Sequence, residues 1–487
     1  MYSQQEIIKK ASILIDKKKY KEAKSNLLEF LKESKNIKID ARIYYFLYLS
    51  FDSLKDNKNA KKNLEKCLKI NKNNHIALNN LANIYFKEGN ILRAEKFYLN
   101  SIKNKPDYLI AIVNTAIFFQ NIGKLEEAKK FYLKAVNLAP KQISIYFNLS
   151  RIDKDFMNKD KIKYLSELMR NEKIDLLNMA YGFFLLAEQE RKENSYIKEM
   201  EYLKKAHQYT FNEKFDKNKR TLNYWQNIIP KQYNKFSFIN ENTKNELSNL
   251  KPIFIVGLPR SGSTIAEAIL SSGEMVVENL GETSIFNGVI VTTHNELQKK
   301  ENSKIDLDLI NKKVLVSMKD KNFINKGSKI FTDKSLENFF YIEIILKIFP
   351  HAKFINTFRN IEDNIFAIFQ QSLSKLSWTH TIENILEYID NYLKIIEYFI
   401  KKYPNRILSL DLKELTNKPE ETSKKLYSFC NLKWSKKVLD FYNRKDLLVS
   451  TASNIQIRKK INSYDEEKYK PYKDLLKKFS NKYDWIN

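Results

Sequence analysis

Apolar positions recur every three to four residues over the first half of the chain, the spacing of amphipathic helices. Over residues 1 to about 140 this pattern also repeats as a block. Ala60, Ala94 and Ala128 recur at intervals of 34 residues, as do Phe51, Tyr85 and Phe119. Tyr98 and Tyr132, Gly89 and Gly123, and Pro106 and Pro140 share that interval. Ala23 precedes Ala60 by 37, which predicts a three-residue insertion near residues 35–39. From 141 to about 250 the helical period persists without the block repeat. Amphipathic helices are predicted over 176–190 and 196–209, and a boundary over 229–250, where Pro230 and many Asn and Lys interrupt the pattern. From Lys251 short apolar runs alternate with helical stretches. Strands are predicted over 252–256, 274–277, 329–332, 353–357 and 406–411. This alternation predicts a parallel sheet with right-handed crossovers. Ligands of such sheets bind beyond the carboxyl ends of the strands.

The N-terminal block resembles the tetratricopeptide repeat, a helix–turn–helix unit of 34 residues. The resemblance implies that Ala94 and Ala128 let the two helices approach, with Tyr85 and Tyr98 filling the next layer. Such units stack into a superhelix whose concave face takes extended segments or partner proteins. The plainer alternative is that these helices only pack on the neighbouring domain.

The sharpest local feature is the stretch 251–264, KPIFIVGLPRSGST. Its apolar run, Ile253 to Val256, has the character of a strand buried on both faces. A tight loop and the first turns of a helix from Ile265 follow, a geometry that turns backbone N–H groups and a helix N-terminus toward an anion. The spacing is that of a nucleotide phosphate loop, but Ser263 stands where the lysine that reaches the β- and γ-phosphates belongs. This disfavours an ATP-dependent kinase. Two glycines, an arginine and three hydroxyls still suit a single phosphate group. Glycine-containing strand-to-helix turns also occur with no ligand.

Composition narrows the picture. At 487 residues the chain has room for several domains, and 43% apolar residues is ordinary for a globular protein. The net charge of +27 is spread along the chain, with abundant Lys, Asn and Ile, so it reads as compositional bias rather than a nucleic-acid footprint. Two distant cysteines, Cys67 and Cys430, make no disulfide framework, and five scattered histidines lack metal-ligand spacing. No signal peptide or long apolar span is evident, and a cytoplasmic protein is expected.

Further motifs gather behind the predicted strand ends: Gly281-Glu282-Thr283, Thr332-Asp333-Lys334, and Thr357-Phe358-Arg359 followed by a helix. With the loop Pro259-Arg260-Ser261-Gly262-Ser263-Thr264, they resemble the sulfotransferases that use 3′-phosphoadenosine 5′-phosphosulfate (PAPS). The similarity is greatest to bacterial members that carry tetratricopeptide repeats and are related to tyrosylprotein sulfotransferases. Arg359, Asp363 and Gln371 keep the family's register, as do 429–434 (FCNLKW) and 451–457 (TASNIQI).

The resemblance implies a P-loop-type three-layer α/β/α domain over 251–487, after a repeat domain (1–140) and a helical connector (141–250). It implies transfer of a sulfuryl group from PAPS to a hydroxyl or amine, leaving 3′-phosphoadenosine 5′-phosphate (PAP), with no metal. Pro259 through Thr264 would hold the 5′-phosphosulfate and Glu282 would be the general base. Lys334 and Arg260 would stabilise the leaving oxygen, and Arg359 would hold the 3′-phosphate. Arg458 or Lys459 would close over the nucleotide. The chain departs from the pattern at Ala367, where the family has a serine that donates to the 3′-phosphate, a loss of about 1 kcal/mol. Other departures are Ser271-Ser272-Gly273 and Lys460. The competing reading is a repeat scaffold whose second domain binds nucleotide without catalysis. The acceptor, a protein or peptide met through the repeats or another molecule, is not specified by any motif.

Overall fold

The computed structural model describes residues 3–34, 37–240, 246–297, 304–320, 323, 329–444 and 454–486. The chain forms two compact units, Met1–Ile145 and Tyr146–Asn487.

The first unit is a run of helix pairs: α1 Gln4–Asp16 with α2 Tyr20–Glu33, α3 Ala41–Ser53 with α4 Asn57–Ile70, α5 His75–Lys87 with α6 Ile91–Asn104, and α7 Leu109–Asn121 with α8 Leu125–Leu138. The starts of α3, α5 and α7 advance by 34 residues, and the first pair is set 37 earlier, as the alanine spacing predicts. Residues 35 and 36 of the inserted stretch lie outside the described residues. Ala23, Ala60, Ala94 and Ala128 are at most 1% exposed, because a larger side chain there would push the paired helices apart. Asp40, Asp56, Asn74 and Asn90 cap helices α3 to α6 by accepting first-turn N–H groups. Stacked rings recur one repeat apart, Tyr85 on Phe97 at 5.4 Å and Phe119 on Phe131 at 5.6 Å.

The division falls within helix α9, Ile143–Ile152, and the second unit continues with α10 Lys159–Asn171, α11 Leu176–Lys192, α12 Tyr196–Glu213 and α13 Phe215–Asn223. Phe184, Ala187, Met200, Leu203 and Ala206 of α11 and α12 enter the same buried cluster as Phe254 and Val256 of the central sheet. A buried carboxylate reinforces the joint. Glu199 takes Arg191 Nε at 2.7 Å, Gln370 Nε2 at 3.1 Å and Tyr472 Oη at 2.6 Å. The stretch 229–250, expected as a boundary, begins inside this core: Tyr224, Trp225 and Ile229 are all buried.

The remaining strands are β1 Phe238–Ile239, β2 Lys251–Gly257, β3 Glu278–Asn279, β4 Ile305–Asp306, β5 Ile330–Asp333, β6 Lys353–Phe358 and β7 Ile407–Asp411. β1 and β4 pair with each other. The others form a parallel sheet in the order β3-β5-β2-β6-β7. Successive side chains of β2 point to opposite faces. Phe254 and Val256 join one buried cluster, and Ile253 and Ile255 join another. Helices α14 Ser263–Leu270 and α21 Pro419–Phe429 cover the second face. Helices α15 Ile285–Leu297, α16 Leu307–Asp320, α17 Ile342–Ile348, α18 Ile361–Phe369 and α19 Ile382–Lys402 contribute to the first. A short helix α20, Leu412–Asn417, lies between β7 and α21.

One expected strand is displaced. Residues 274–277 form no strand, and β3 begins at Glu278. The apolar pair Met275 and Val276 is exposed, Val276 by 74%, so hydrophobicity there does not mark a paired strand. Among the described residues, no helix is long and apolar enough to cross a membrane.

Candidate active site

The loop after β2 is held in shape from several sides. Gly257 has φ +134, and a Cβ there would lie 2.3 Å from the carbonyl oxygen of Thr357, so only glycine lets β2 and β6 end this close together. Arg260 and Gly262 both take left-handed backbone, φ +67 and +90. For Arg260 that conformation costs about 1–2 kcal/mol, a strain of the sort found at functional loops. Ser261 is buried. Its hydroxyl donates to the Leu258 carbonyl at 2.7 Å and pairs with the Thr357 hydroxyl at 2.8 Å. Asn364 of α18 donates from Nδ2 to the Pro259 carbonyl at 2.8 Å. Helix α14 then starts at Ser263 behind a glycine cap, with no side-chain capping bond among the described residues. This is a cradle built of backbone, with Ser263 and Thr264 in the helix's first turn.

At the ends of β3 and β5 a second set of residues converges. Lys334 Nζ lies 3.0 Å from Glu282 Oε1. The lysine side chain is 2% exposed and the glutamate side chain 52%, so the carboxylate faces outward above an enclosed ammonium. Backbone and side-chain bonds fix both. Lys334 N donates to the Gly281 carbonyl at 2.8 Å. Gly281 N donates to Glu267 Oε1 at 3.2 Å, and Thr332 Oγ1 donates to the same oxygen at 3.1 Å. Thr283 donates to Asp333 Oδ2, and Ser284 N donates to Ser335 Oγ.

Electrostatics follow from this packing. Burial pulls the Lys334 ammonium toward a lower pKa. The charges of Glu267 and Glu282, the hydrogen bond to Glu282 and the charge of Asp333 outweigh it and hold the group above the ordinary lysine value. Burial pushes the Glu267 carboxyl up, against the pull of Lys334 and the Thr332 hydroxyl. Glu337 is likewise pushed up by burial, with the charge of Glu282 adding to it. Lys334 is thus a cation at neutral pH despite its enclosure.

Arg359 sits at the end of β6 and its guanidinium is enclosed. Nε and Nη2 donate to the Tyr464 hydroxyl at 3.1 and 2.8 Å, and Nη1 approaches the Arg260 carbonyl at 3.5 Å. Arg260 itself reaches Gln456 Oε1 from Nη2 at 3.2 Å. Of the remaining expected residues, Arg458 donates from Nη1 to the Arg444 carbonyl at 2.8 Å, and Lys459 is exposed. Thr451, Ala452 and Ser453 lie outside the described residues. Ala367 is buried in the apolar cluster that contains Phe366 and Phe369.

Two participants escaped sequence reading. Glu267 carried one usable signal, a lone charge inside the apolar run Ile265 to Leu270. Tyr464 carried none, because it stands in a polar stretch with no periodicity.

The cradle and the two cations fit a phosphorylated, anionic ligand. Comparison with known proteins agrees in kind. Residues 252–436 match the model of the sulfotransferase family, and 41–74, 76–108 and 114–142 match that of the tetratricopeptide repeat. A protein of Aquifex aeolicus (strain VF5), described as uncharacterized, is 29% identical over 338 residues, 65% of this chain and 43% of that protein. The chain therefore spans less than half the length of that relative. Among solved structures, the sulfotransferase domain from the Synechococcus PCC 7002 olefin synthase is 17% identical, with a TM-score of 0.32, over 46% of this chain and 88% of that one. A tetratricopeptide repeat protein from Parabacteroides merdae ATCC 43184 is 13% identical, with a TM-score of 0.35, over 48% and 94%. The chain is thus similar to tetratricopeptide repeats over its first part and, over residues 252–436, to the sulfotransferase family.

Proposed function

We propose that the second unit is a sulfotransferase that uses PAPS as donor and a hydroxyl or amine as acceptor. The observation that carries this reading is the Glu282–Lys334 pair, an outward carboxylate on an enclosed cation at the strand ends beside the phosphate-type loop. In this reading Glu282 takes the acceptor's proton as the acceptor oxygen or nitrogen bonds to sulfur. The bond between sulfur and the bridging oxygen breaks, and PAP departs with that electron pair. Lys334 and Arg260 stabilise the negative charge that develops on that oxygen. Arg260, Ser261, Gly262, Ser263 and Thr264 hold the 5′-phosphate end through backbone N–H groups, since the Ser261 hydroxyl is already engaged within the loop, and Pro259, which has no N–H, shapes its entry with its carbonyl tied to Asn364. Arg359 takes the 3′-phosphate, a task suited to a guanidinium fork. Arg458 and Lys459 belong to the segment that flanks the nucleotide. The positive net charge favours encounter with so anionic a donor.

The repeats would recognise the acceptor or a partner protein. Three matched units are enough to build a continuous binding face. The test is conversion of PAPS to PAP, followed with and without cell extract, with transferred label located by mass. Extract-stimulated PAP formation that disappears in Glu282→Gln supports the reading. Nucleotide binding with no transfer to any fraction of the extract would replace it with a binding scaffold.

A further inference from the structure

The family's usual serine donor to a 3′-phosphate is absent here, and Ala367 in its place is buried among apolar side chains. What surrounds Arg359 instead is a pair of tyrosines from beyond the matched region. The guanidinium lies over the rings of Tyr464 and Tyr469 at 5.0 and 5.2 Å. Tyr464 Oη accepts from both Nε and Nη2, and donates to Asp363 Oδ2 at 2.6 Å. Asp363 Oδ2 is itself 3.7 Å from Arg359 Nη2. The hydroxyl thus stands between a buried carboxylate and the cation that would otherwise pair with it.

We propose that Tyr464 is a specificity-determining position of the nucleotide site: its hydroxyl, anchored on Asp363, holds the Arg359 guanidinium by its Nε–Nη2 edge and turns Nη1, whose one hydrogen bond among the described residues is the long 3.5 Å approach to the Arg260 carbonyl, toward a 3′-phosphate. The proposal rests on the nucleotide reading given above. A guanidinium has five donors in a rigid fork, so fixing the Nε edge fixes the direction of the others. Without the hydroxyl, the 3.7 Å pair of Asp363 and Arg359 tightens to direct contact, and a phosphate must then compete more strongly with a carboxylate. Tyr464 acts through Arg359 and is a positioning residue. It supplies by pre-organisation what a serine at 367 would supply by direct donation.

The test is calorimetric titration of wild type, Tyr464→Phe and Arg359→Ala with PAP and with AMP, which lacks the 3′-phosphate. The expected result is a wild-type preference for PAP that Arg359→Ala abolishes. In Tyr464→Phe the dissociation constant for PAP rises about tenfold, while that for AMP stays within about twofold. A merely structural role would weaken both nucleotides alike. Equal shifts, no shift, or tighter PAP binding in Tyr464→Phe would overturn the inference, the last by showing that the hydroxyl competes with the phosphate. A wild type with no preference for PAP overturns the nucleotide reading and this inference together. A preference that vanishes in Arg359→Ala but persists undiminished in Tyr464→Phe overturns this inference alone.

Discussion

Lys334 Nζ lies 3.0 Å from Glu282 Oε1, yet the lysine is enclosed and the glutamate is half open to solvent. The asymmetry divides the labour. In the proposed reaction the ammonium would lie fixed where charge develops, and the carboxylate would turn toward an arriving acceptor. Glu282→Gln keeps the shape and a hydrogen-bond acceptor for Lys334 but cannot take a proton. Transfer should fall by at least about a hundredfold, the low end for losing a general base, while PAP affinity stays within a few-fold. Full activity in Glu282→Gln, read by PAP release, would remove the residue from this role.

Glu267 ties the backbone before Glu282 to the end of β5. Its Oε1 satisfies both the Gly281 amide and the Thr332 hydroxyl. Glu267→Gln retains an oxygen there but loses the charge that supports Lys334, whereas Glu267→Leu also leaves the Gly281 amide without its partner, at about 1–3 kcal/mol, and the Thr332 hydroxyl with only its longer 3.4 Å bond to the Glu278 carbonyl. Urea unfolding should therefore rank wild type first, Gln below it and Leu lowest. Hydrogen exchange at the Gly281 amide should speed up in the Leu variant first. Equal stability of the Gln and Leu variants would show that these bonds are dispensable.

How far the sequence foretold the site depends on what each residue does. The loop was legible because its conformation demands particular residues: glycine at 257 and 262, and a serine whose hydroxyl closes on the chain three residues back. Glu282 and Lys334 were legible as neighbours of strand ends, although the strand before Glu282 was placed four residues early. Glu267 was not, because its partners are the Gly281 amide and the Thr332 hydroxyl, 14 and 65 residues away, and no local pattern announces them. Tyr464 is more remote still, 105 residues from the arginine it holds. The repeats were the most legible part, since a helix pair meets its neighbours at a fixed interval and burial recurs with it.

The repeat turns contain a mismatch of their own. Gly89 and Gly123 take φ 74 and 83 where one helix ends, and the equivalent turns of the first two pairs place Lys18 and Lys55 at φ 59 and 65. The bonds are alike: Asp56 N to the Phe51 carbonyl at 2.9 Å and Asn90 N to the Tyr85 carbonyl at 2.8 Å. Lys55→Gly should relieve a left-handed lysine and stabilise its repeat by about 1 kcal/mol. Slower native-state hydrogen exchange across α3 and α4 is the expected readout, and unchanged protection would mean that unfolded-chain entropy cancels the gain.

Two buried imidazoles make the second unit sensitive to acid. His207 Nδ1 lies 3.1 Å from His380 Nδ1, and His207 Nε2 lies 2.7 Å from the Phe369 carbonyl. Burial, helped by the neighbouring His380, pushes His207 down to about 3, and burial pushes His380 down to about 4. Below the ordinary value near 6.5 the unfolded chain binds protons that the folded chain refuses. The pair's contribution is therefore fully present above that pH and is lost as pH falls toward 4, by about 1.4 kcal/mol per pH unit for each imidazole. His380→Phe should lower that slope by about one such increment. Tryptophan fluorescence during urea unfolding isolates the effect, because Trp225, Trp378, Trp434 and Trp485 all lie in Tyr146–Asn487. An unchanged slope between pH 6 and 4.5 would mean that His380 binds its proton alike in the folded and unfolded chains.

The last prediction concerns where the catalytic unit begins. A fragment starting near Asn240 contains the whole sheet but loses α11 and α12. Those helices supply Phe184, Met200, Leu203 and Ala206 to the cluster that covers Phe254 and Val256. Glu199, which binds Gln370 next to α18 and Tyr472 near the C-terminus, goes with them. Each large side chain removed from such a cluster costs about 2–5 kcal/mol, so the loss of several exceeds the stability of an ordinary domain. The 240–487 fragment should be insoluble. A fragment starting near Lys141 keeps all of these residues and should fold, bind PAP with wild-type affinity and hydrolyse or transfer poorly to the native acceptor, because it lacks the repeats. Solubility, PAP titration and extract labelling separate the possibilities. A soluble 240–487 fragment would mean that α11 and α12 are dispensable to the core. Native turnover that survives deletion of residues 1–140 would remove the repeats from acceptor recognition and leave them the task of binding a separate partner.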